Sequence, residues 1–270
     1  MKKYNEPLII TGCPRTGTTG LQMALSALPG ICIWYELELY STQGRAYVAS
    51  MDRLKRMIER HHGDGPYTKK EILERPFLLR NPLAQTIPIS EIRKLVEKVG
   101  PDAELSTLQY VLFQMAELSK GSLRLYGDKT PLTYCDQLPE VFDEYPDARV
   151  IFCIRDGRDA VTSLMTRKHE PQFAADWWIK CMEGLEAALM LPSLRDRIMT
   201  VRLEEAVKDR AKVFRDIAAF VGLDDHDGDE ESFVTFYNPI HVGRWKAEQP
   251  DLESKLDDRF INALRQWGYE

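Results

Sequence analysis

Four short stretches of this chain hold side chains whose types and spacing could do chemistry. The first is Gly12-Cys13-Pro14-Arg15-Thr16-Gly17-Thr18-Thr19. It has the spacing of a phosphate loop, G-x-x-x-x-G-K-[ST], but carries Thr18 where the lysine belongs and a positive charge at Arg15 instead. In such a loop the backbone N–H groups, the hydroxyls and the positive end of the following helix converge on an oxyanion. The second stretch, VIFCIRDGRDAVTSL at 150–164, runs into Arg155 and places Ser163 eight residues on, about two helical turns. Arginine offers a planar fork suited to phosphate and serine adds a hydroxyl. Arg158 and Asp159 shape the turn between them, with Arg158 a further cation that could reach a phosphate. The remaining two are Gly127-Asp128-Lys129-Thr130-Pro131 and Gly243-Arg244-Trp245-Lys246.

These residues need a scaffold that brings them together. Apolar runs rich in β-branched residues recur at 8–11, 31–35, 123–126, 149–154 and 198–203, with helical patterns between most of them. That alternation predicts an α/β fold, a central parallel sheet flanked by helices. The loop at 12–19, with a strand before it and a helix after, makes the fold of the P-loop nucleotide-hydrolase kind. A helix is expected over 204–221, with Val207, Ala211, Phe214, Ala218 and Val221 on one stripe and Gly222 closing it. Another is expected to begin near Asp159. Residues 37–122 read as a helical insertion over the C-terminal edge of the sheet, within one domain spanning 1–270. Insertions there often carry substrate contacts, because ligands of open α/β sheets sit outside the carboxyl ends of the strands.

Composition narrows the function. The chain has 270 residues, 44% of them hydrophobic, ample for a buried core. A net charge of -6 argues against general affinity for nucleic acid or an anionic membrane, so any anion site is local. No run is long enough for a signal-peptide core or a membrane span, and a cytoplasmic protein is expected. The five cysteines, Cys13, Cys32, Cys135, Cys153 and Cys181, lack CxxC spacing and read as buried thiols. His61-His62 has no ligand partners at metal spacing, and the acidic run at 224–231 has its glycine misplaced for a calcium loop, so no metal is expected. Of Trp177-Trp178, one ring faces the core and the other could contact a ligand.

Together the stretches resemble the sulfotransferases that use 3′-phosphoadenosine 5′-phosphosulfate, in motif style the tyrosylprotein, carbohydrate and bacterial branch. In that family P-[KR]-[ST]-G-[ST]-[ST] holds the 5′-phosphosulfate, matched here by Pro14, Arg15, Thr16, Gly17, Thr18 and Thr19. An arginine at a strand end and a serine eight residues on hold the 3′-phosphate, matched by Arg155 and Ser163. The resemblance extends to Lys129 and to Arg244, Trp245 and Lys246, and covers most of the chain outside 37–122. It departs in three places. Pro131 stands where relatives acting on phenols and steroids have the histidine of K-T-H. Arg202-Leu203-Glu204-Glu205-Ala206 lacks the tyrosine of R-Y-E-D-L, and 240–242 lack the serine-rich approach to Gly243.

The resemblance implies sulfonyl transfer to a hydroxyl or amine of a small-molecule or carbohydrate acceptor, with adenosine 3′,5′-bisphosphate as product. Such transfer needs in-line positioning, cations on the non-bridging and leaving oxygens, and a base. Arg15 would neutralise the transferring group, Thr18 and Thr19 would bind phosphate, and Lys129 would add charge from a neighbouring strand. In the tyrosylprotein branch a glutamate twenty-one residues beyond the loop arginine is the base, which here is Glu36. Glu38 is its nearest competitor, sharing its facing if the strand continues; Asp128, a histidine or no dedicated base are the other options. Two other functions stay open: a small-molecule kinase with an atypical loop, and a non-catalytic nucleotide-binding scaffold. Residues 37–122 do not distinguish acceptor classes.

Overall fold

In a computed structural model of the chain, residues 6–40, 46–60, 65–68, 70–71, 83, 86–98, 105–223 and 242–269 are described. Five strands, β1 (Leu8–Gly12), β2 (Ile31–Tyr35), β3 (Leu125–Lys129), β4 (Arg149–Ile154) and β5 (Ile198–Arg202), form one parallel sheet in the order β2-β3-β1-β4-β5. The helices are α1 (Thr18–Ser26), α2 (Ala46–Arg60), α3 (Ile89–Glu97), α4 (Leu105–Lys120), α5 (Leu138–Glu144), α6 (Gly157–Met165), α7 (Pro171–Leu189), α8 (Leu203–Lys208), α9 (Arg210–Val221) and α10 (Asp258–Gln266). Short turns at Pro192–Arg195, Trp245–Glu248 and Leu252–Lys255 complete the described chain.

Alternation along the strands builds a core on each face, as a doubly covered parallel sheet requires. Ile9, Trp34, Tyr126, Phe152 and Ile154 point to one side, packed by α4, α5, α6, α7 and α10 through residues such as Leu112, Val141, Val161, Trp178 and Phe260. Leu8, Ile10, Ile31, Ile33 and Ile151 point to the other, under Leu21 and Leu25 of α1 and Phe214 and Ile217 of α9. Within 37–122, α2, α3 and α4 send Met51, Leu54, Ile92 and Leu108 into the first of these cores.

Three expected boundaries move. The third strand runs from Leu125 to Lys129 and not over 123–126, so Gly127, Asp128 and Lys129 lie within it. These are poor strand formers, and tertiary hydrogen bonding to Asp128 overrides the propensity. The helix expected over 204–221 is two helices, because Asp209 leaves helical geometry and its carboxylate accepts from Lys212 N, capping α9. The helix expected near Asp159 starts at Gly157, since Asp156 takes the cap position. Gly222 closes α9 in the left-handed conformation, as the sequence predicts.

Order 2-3-1-4-5 sends the connection out of β1 to one side and that out of β4 to the other. The crevice at their carboxyl ends is where such sheets bind ligands.

Candidate active site

The loop after β1 begins at Gly12, where β1 and β4 approach so closely that a Cβ would lie 2.2 Å from Cys153 O, at a φ of +139 that disfavours L residues. Arg15 (φ 76) and Gly17 (φ 95) take left-handed conformations that turn the chain into α1. Thr16 donates its hydroxyl to Cys13 O at 2.8 Å and so fixes the loop's own shape. Helix α1 starts with no side-chain cap and no acidic residue in its first turn, so its N–H groups and dipole remain available to an anion.

Arg15 reaches from the loop to α6, where its Nε donates to Ser163 Oγ at 2.9 Å. Arg155, at the end of β4, donates from Nη1 to Arg15 O at 3.0 Å and faces Asp159 Oδ2 at 3.5 Å. The two stretches read from the sequence as candidate anion sites thus meet through Arg15, Ser163 and Arg155. Burial lowers the Arg15 pKa, and the like charges of Arg167, Arg155 and Arg244 lower it further. Burial lowers that of Arg155 too, against the opposing pull of Asp159 and Glu204. Such crowding of guanidinium groups is relieved by an anionic ligand.

Asp159 binds the C-terminal stretch to this surface by accepting from Gly243 N at 2.7 Å and Trp245 N at 3.0 Å. Arg244 ion-pairs with Glu248 while acting electrostatically on both Arg15 and Arg155. Lys246 is exposed, with Nζ 5.7 Å from the Trp245 ring centre. Arg158 is committed elsewhere: it pairs with Asp156 and Glu253 and lies over the Trp245 ring. Trp178 is buried and donates to Arg155 O at 3.0 Å, whereas Trp177 groups with His169 and Phe173.

On the other side of β1, the Lys129 side chain is fully buried and its ammonium joins three groups. It donates to Thr19 Oγ1 of α1 at 3.2 Å and to Glu36 Oε1 at 2.7 Å, and lies 3.5 Å from the Tyr35 ring centre. Burial pushes the Glu36 carboxyl up, but Lys129, Tyr35 and Arg53 outweigh it and hold the group below its ordinary value. Glu36 is therefore an ionised carboxylate beside the loop. The strand does not continue to Glu38: β2 stops at Tyr35, and Glu36 and Glu38 both have left-handed backbones (φ 55 and 58). Glu38 instead pairs with Arg53 of α2 and accepts from Thr133 Oγ1 at 2.8 Å.

Five consecutive amides hold that conformation. Glu36 N donates to Lys129 O (2.7 Å), Leu37 N to Asp128 Oδ1 (3.2 Å) and Glu38 N to Thr130 Oγ1 (3.4 Å). Leu39 N donates to Asp128 Oδ2 (3.3 Å) and Tyr40 N to Tyr134 OH (3.1 Å). Asp128 also accepts from the hydroxyls of Thr130 and Tyr134, at 2.9 and 2.8 Å. With no exposure, it is a fastener of the loop and has no path to a substrate proton.

Comparison with protein-family models matches residues 7–227 to the sulfotransferase family. The chain belongs to that family. No curated protein sequence matches it significantly. Among solved structures, the sulfotransferase domain of the Synechococcus PCC 7002 olefin synthase is similar at 20% identity and TM-score 0.59, over 98% of this chain and 94% of that one. The sulfotransferase domain of the curacin biosynthetic pathway is similar at 16% identity and TM-score 0.61, over 98% of both chains. A sulfotransferase of Mycobacterium avium is similar at 18% identity and TM-score 0.50, over 98% of this chain and 77% of that one. These likenesses share the P-loop-like α/β fold.

In this sulfotransferase the structure brings together Pro14 to Thr19, Glu36, Lys129, Arg155, Ser163, Arg244 and Trp245, and leaves Lys246 exposed near the Trp245 indole. His61-His62 and the run at 224–231 lie outside the described residues, among which no group of three or more His, Cys, Asp or Glu could hold a metal ion. No helix among them is long and apolar enough to cross a membrane. The five cysteines are free and buried, and burial pushes the thiols of Cys32 and Cys153 up to about 12. The sequence reading missed Tyr35, Tyr134 and Arg167. Arg167 had a signal: it lies four residues after Ser163, the spacing of one helical face.

Proposed function

We propose that this enzyme moves a sulfonate from 3′-phosphoadenosine 5′-phosphosulfate to a hydroxyl or amine of a small-molecule or carbohydrate acceptor. The observation that carries this reading is the position of Lys129, which joins Thr19 at the head of the anion loop to an ionised Glu36. A binding scaffold needs only the loop; a carboxylate tied to it by a lysine serves a transfer.

The residues divide the work. The loop amides, Thr18 and Thr19 hold the 5′-phosphate, while Arg15 balances charge on the transferring sulfonate. Arg155 and Ser163, with Arg244 and Trp245 held alongside by Asp159, take the 3′-phosphate. Glu36 accepts the acceptor's proton as its oxygen or nitrogen bonds to sulfur and the sulfur–oxygen bond to the phosphate breaks. The electron pair of that bond leaves on the 5′-phosphate, where Lys129 stabilises it. A lowered pKa makes Glu36 a modest base that is ionised at neutral pH without help.

Calorimetric titration with adenosine 3′,5′-bisphosphate tests the donor assignment. Arg155→Ala should weaken binding about 10- to 100-fold, the worth of a charge-assisted phosphate contact. Equal binding by the variant rejects that role. Glu36→Gln should bind the bisphosphate normally while sulfonate transfer from labelled donor to pooled hydroxyl and amine acceptors falls about 10²-fold or more. Normal turnover would move the base elsewhere.

A further inference from the structure

The turn that carries Glu36 is tied to two parts of the chain. Its amides bond to β3 and the residues that follow β3, and a second set of ties runs to the 37–122 stretch. There, Met51, Leu54 and Ile58 of α2 recur at i, i+3 and i+7 and are buried in the core, which seats the helix on α3 and α4. Arg53, beside Leu54, donates from Nη1 to Glu36 O at 3.3 Å and pairs through Nη2 with Glu38 Oε1. Thr133, in the turn after β3, donates to that same carboxylate oxygen at 2.8 Å. The side chains of Arg53 and Glu38 are only 31% and 11% exposed, so solvent screens the pair little.

The peptide between Glu36 and Leu37 is held at both poles, its N–H by Asp128 Oδ1 at 3.2 Å and its C=O by Arg53. The peptide before it gives its N–H to Lys129 O at 2.7 Å. Each peptide is a rigid plane, so fixing the two that flank Glu36 fixes both of its soft dihedrals and with them the direction of its Cα–Cβ bond. Glu36 sits at φ 55, a region that a residue with a Cβ disfavours. A loosened peptide therefore relaxes toward the commoner regions and carries the carboxylate with it. Arg53 also reaches that carboxyl as a charge. Besides burial, the groups acting on it are Lys129 of β3, Tyr35 of β2 and Arg53 of α2, and Arg53 favours the ionised form. Glu38, the next acid along the turn, is the counter-charge of Arg53.

We propose that Arg53 is a positioning residue for sulfonate transfer: one arm of its guanidinium aims the Glu36 carboxylate by holding the Glu36 carbonyl, and the other is braced by Glu38. This rests on the reading of Glu36 as the base. Arginine suits the task because its planar fork presents two Nη donors in fixed geometry, whereas a lysine ammonium is a single point charge. The two partners of this one ion pair then act oppositely on Glu36. Arg53 draws the carboxyl toward its ionised form, and Glu38 cancels part of that pull. Through α2 the 37–122 stretch takes part in aiming the base.

The test follows Glu36 in two ways. One is the pH titration of its carboxyl-carbon NMR resonance in isotope-labelled protein, identified by its absence in Glu36→Gln; the other is release of adenosine 3′,5′-bisphosphate from the phosphosulfate donor with pooled hydroxyl and amine acceptors. Arg53→Met should lower turnover about 10- to 100-fold, the cost of misplacing a catalytic group by up to about 1 Å, and should move the Glu36 titration to higher pH. Arg53→Lys keeps the charge without the fork, so it should leave the titration near wild type and restore turnover only in part. Glu38→Gln breaks the same ion pair and should also lower turnover, yet its Glu36 titration should move to lower pH. Bisphosphate affinity should stay within about threefold of wild type in all three. Wild-type turnover in Arg53→Met, or an unmoved Glu36 titration there, overturns the proposal. So does an upward shift in Glu38→Gln matching that of Arg53→Met, which makes the pair a structural tie alone. If Arg53→Met does not fold, the other two variants decide, since full turnover in Arg53→Lys contradicts the need for a fork. A loss of bisphosphate binding of about tenfold or more in Arg53→Met assigns the residue to the donor site and overturns the proposal as well. A wild type that transfers no sulfonate refutes the functional reading and removes the basis for this one, a result the titration keeps distinct because it needs neither donor nor acceptor.

Discussion

Replacing Asp128 with asparagine preserves shape and removes the charge on which four of the five consecutive amides of the Glu36 loop depend, those of Leu37 and Leu39 directly and those of Glu38 and Tyr40 through the Thr130 and Tyr134 hydroxyls. Its Oδ1 accepts from Leu37 N, and its Oδ2 accepts from Leu39 N, Thr130 and Tyr134. An amide keeps one oxygen. Placed at the crowded Oδ2 position, it retains three bonds in neutral form, each weaker by about 1 kcal/mol than a bond to a carboxylate. The new NH₂ then faces the Leu37 N–H, donor against donor, and leaving that buried amide unmatched costs about 1–3 kcal/mol. Part of this is offset, because burial raises the Asp128 pKa and the variant no longer buries a charge. A net loss of about 2–4 kcal/mol is expected, visible as a lower urea midpoint by tryptophan fluorescence.

The functional consequence is larger than the energetic one. Glu36 and Glu38 hold left-handed backbones, each unfavourable by about 1–2 kcal/mol for a residue with a Cβ, and the amide bonds help to keep them there. Loosened, the loop relaxes and Glu36 shifts from Lys129; a displacement near 1 Å costs about 10²-fold in rate. Formation of adenosine 3′,5′-bisphosphate from the phosphosulfate donor should fall by that order while bisphosphate affinity stays within about threefold. Wild-type unfolding and wild-type turnover together in Asp128→Asn would refute the reasoning. So would a loss confined to bisphosphate affinity, which would assign the network to the anion loop.

Lys129→Met should move the acid limb of the rate profile upward. With the lysine present, Glu36 titrates below its ordinary value and its base function is lost only as pH falls through that lowered pKa; without it, burial is the largest remaining influence and the limb should shift to higher pH. A limb that stays in place would show that Lys129 does not set the carboxyl's charge. Gly12→Ala should cost more than about 3 kcal/mol, because the new Cβ meets Cys153 O and the backbone is strained as well; a wild-type melting temperature would contradict the close approach of β1 and β4.

The sequence by itself determined which chemistry was possible. Loop spacing at 12–19, the strand-to-arginine run at 150–155 and the serine two turns later depend on local geometry, which spacing encodes. The α/β class was legible for the same reason, since periodicity reports which faces are buried. What lay beyond was everything that depends on neighbours distant in the chain. The sequence offered Glu36 and Glu38 on one facing of an extended strand. The fold ends that strand at Tyr35 and commits Glu38 to Arg53, a partner fifteen residues away on a helix of the 37–122 stretch. Asp128 was a candidate base by type and became a fastener because four donors from two segments enclose it. Arg158 stayed open as a further phosphate contact beside Arg155 until Asp156 and Glu253 claimed it. In each case spacing supplied the charge, and tertiary packing chose its partners. That choice decides whether an ionisable group is spent on structure or left for a ligand.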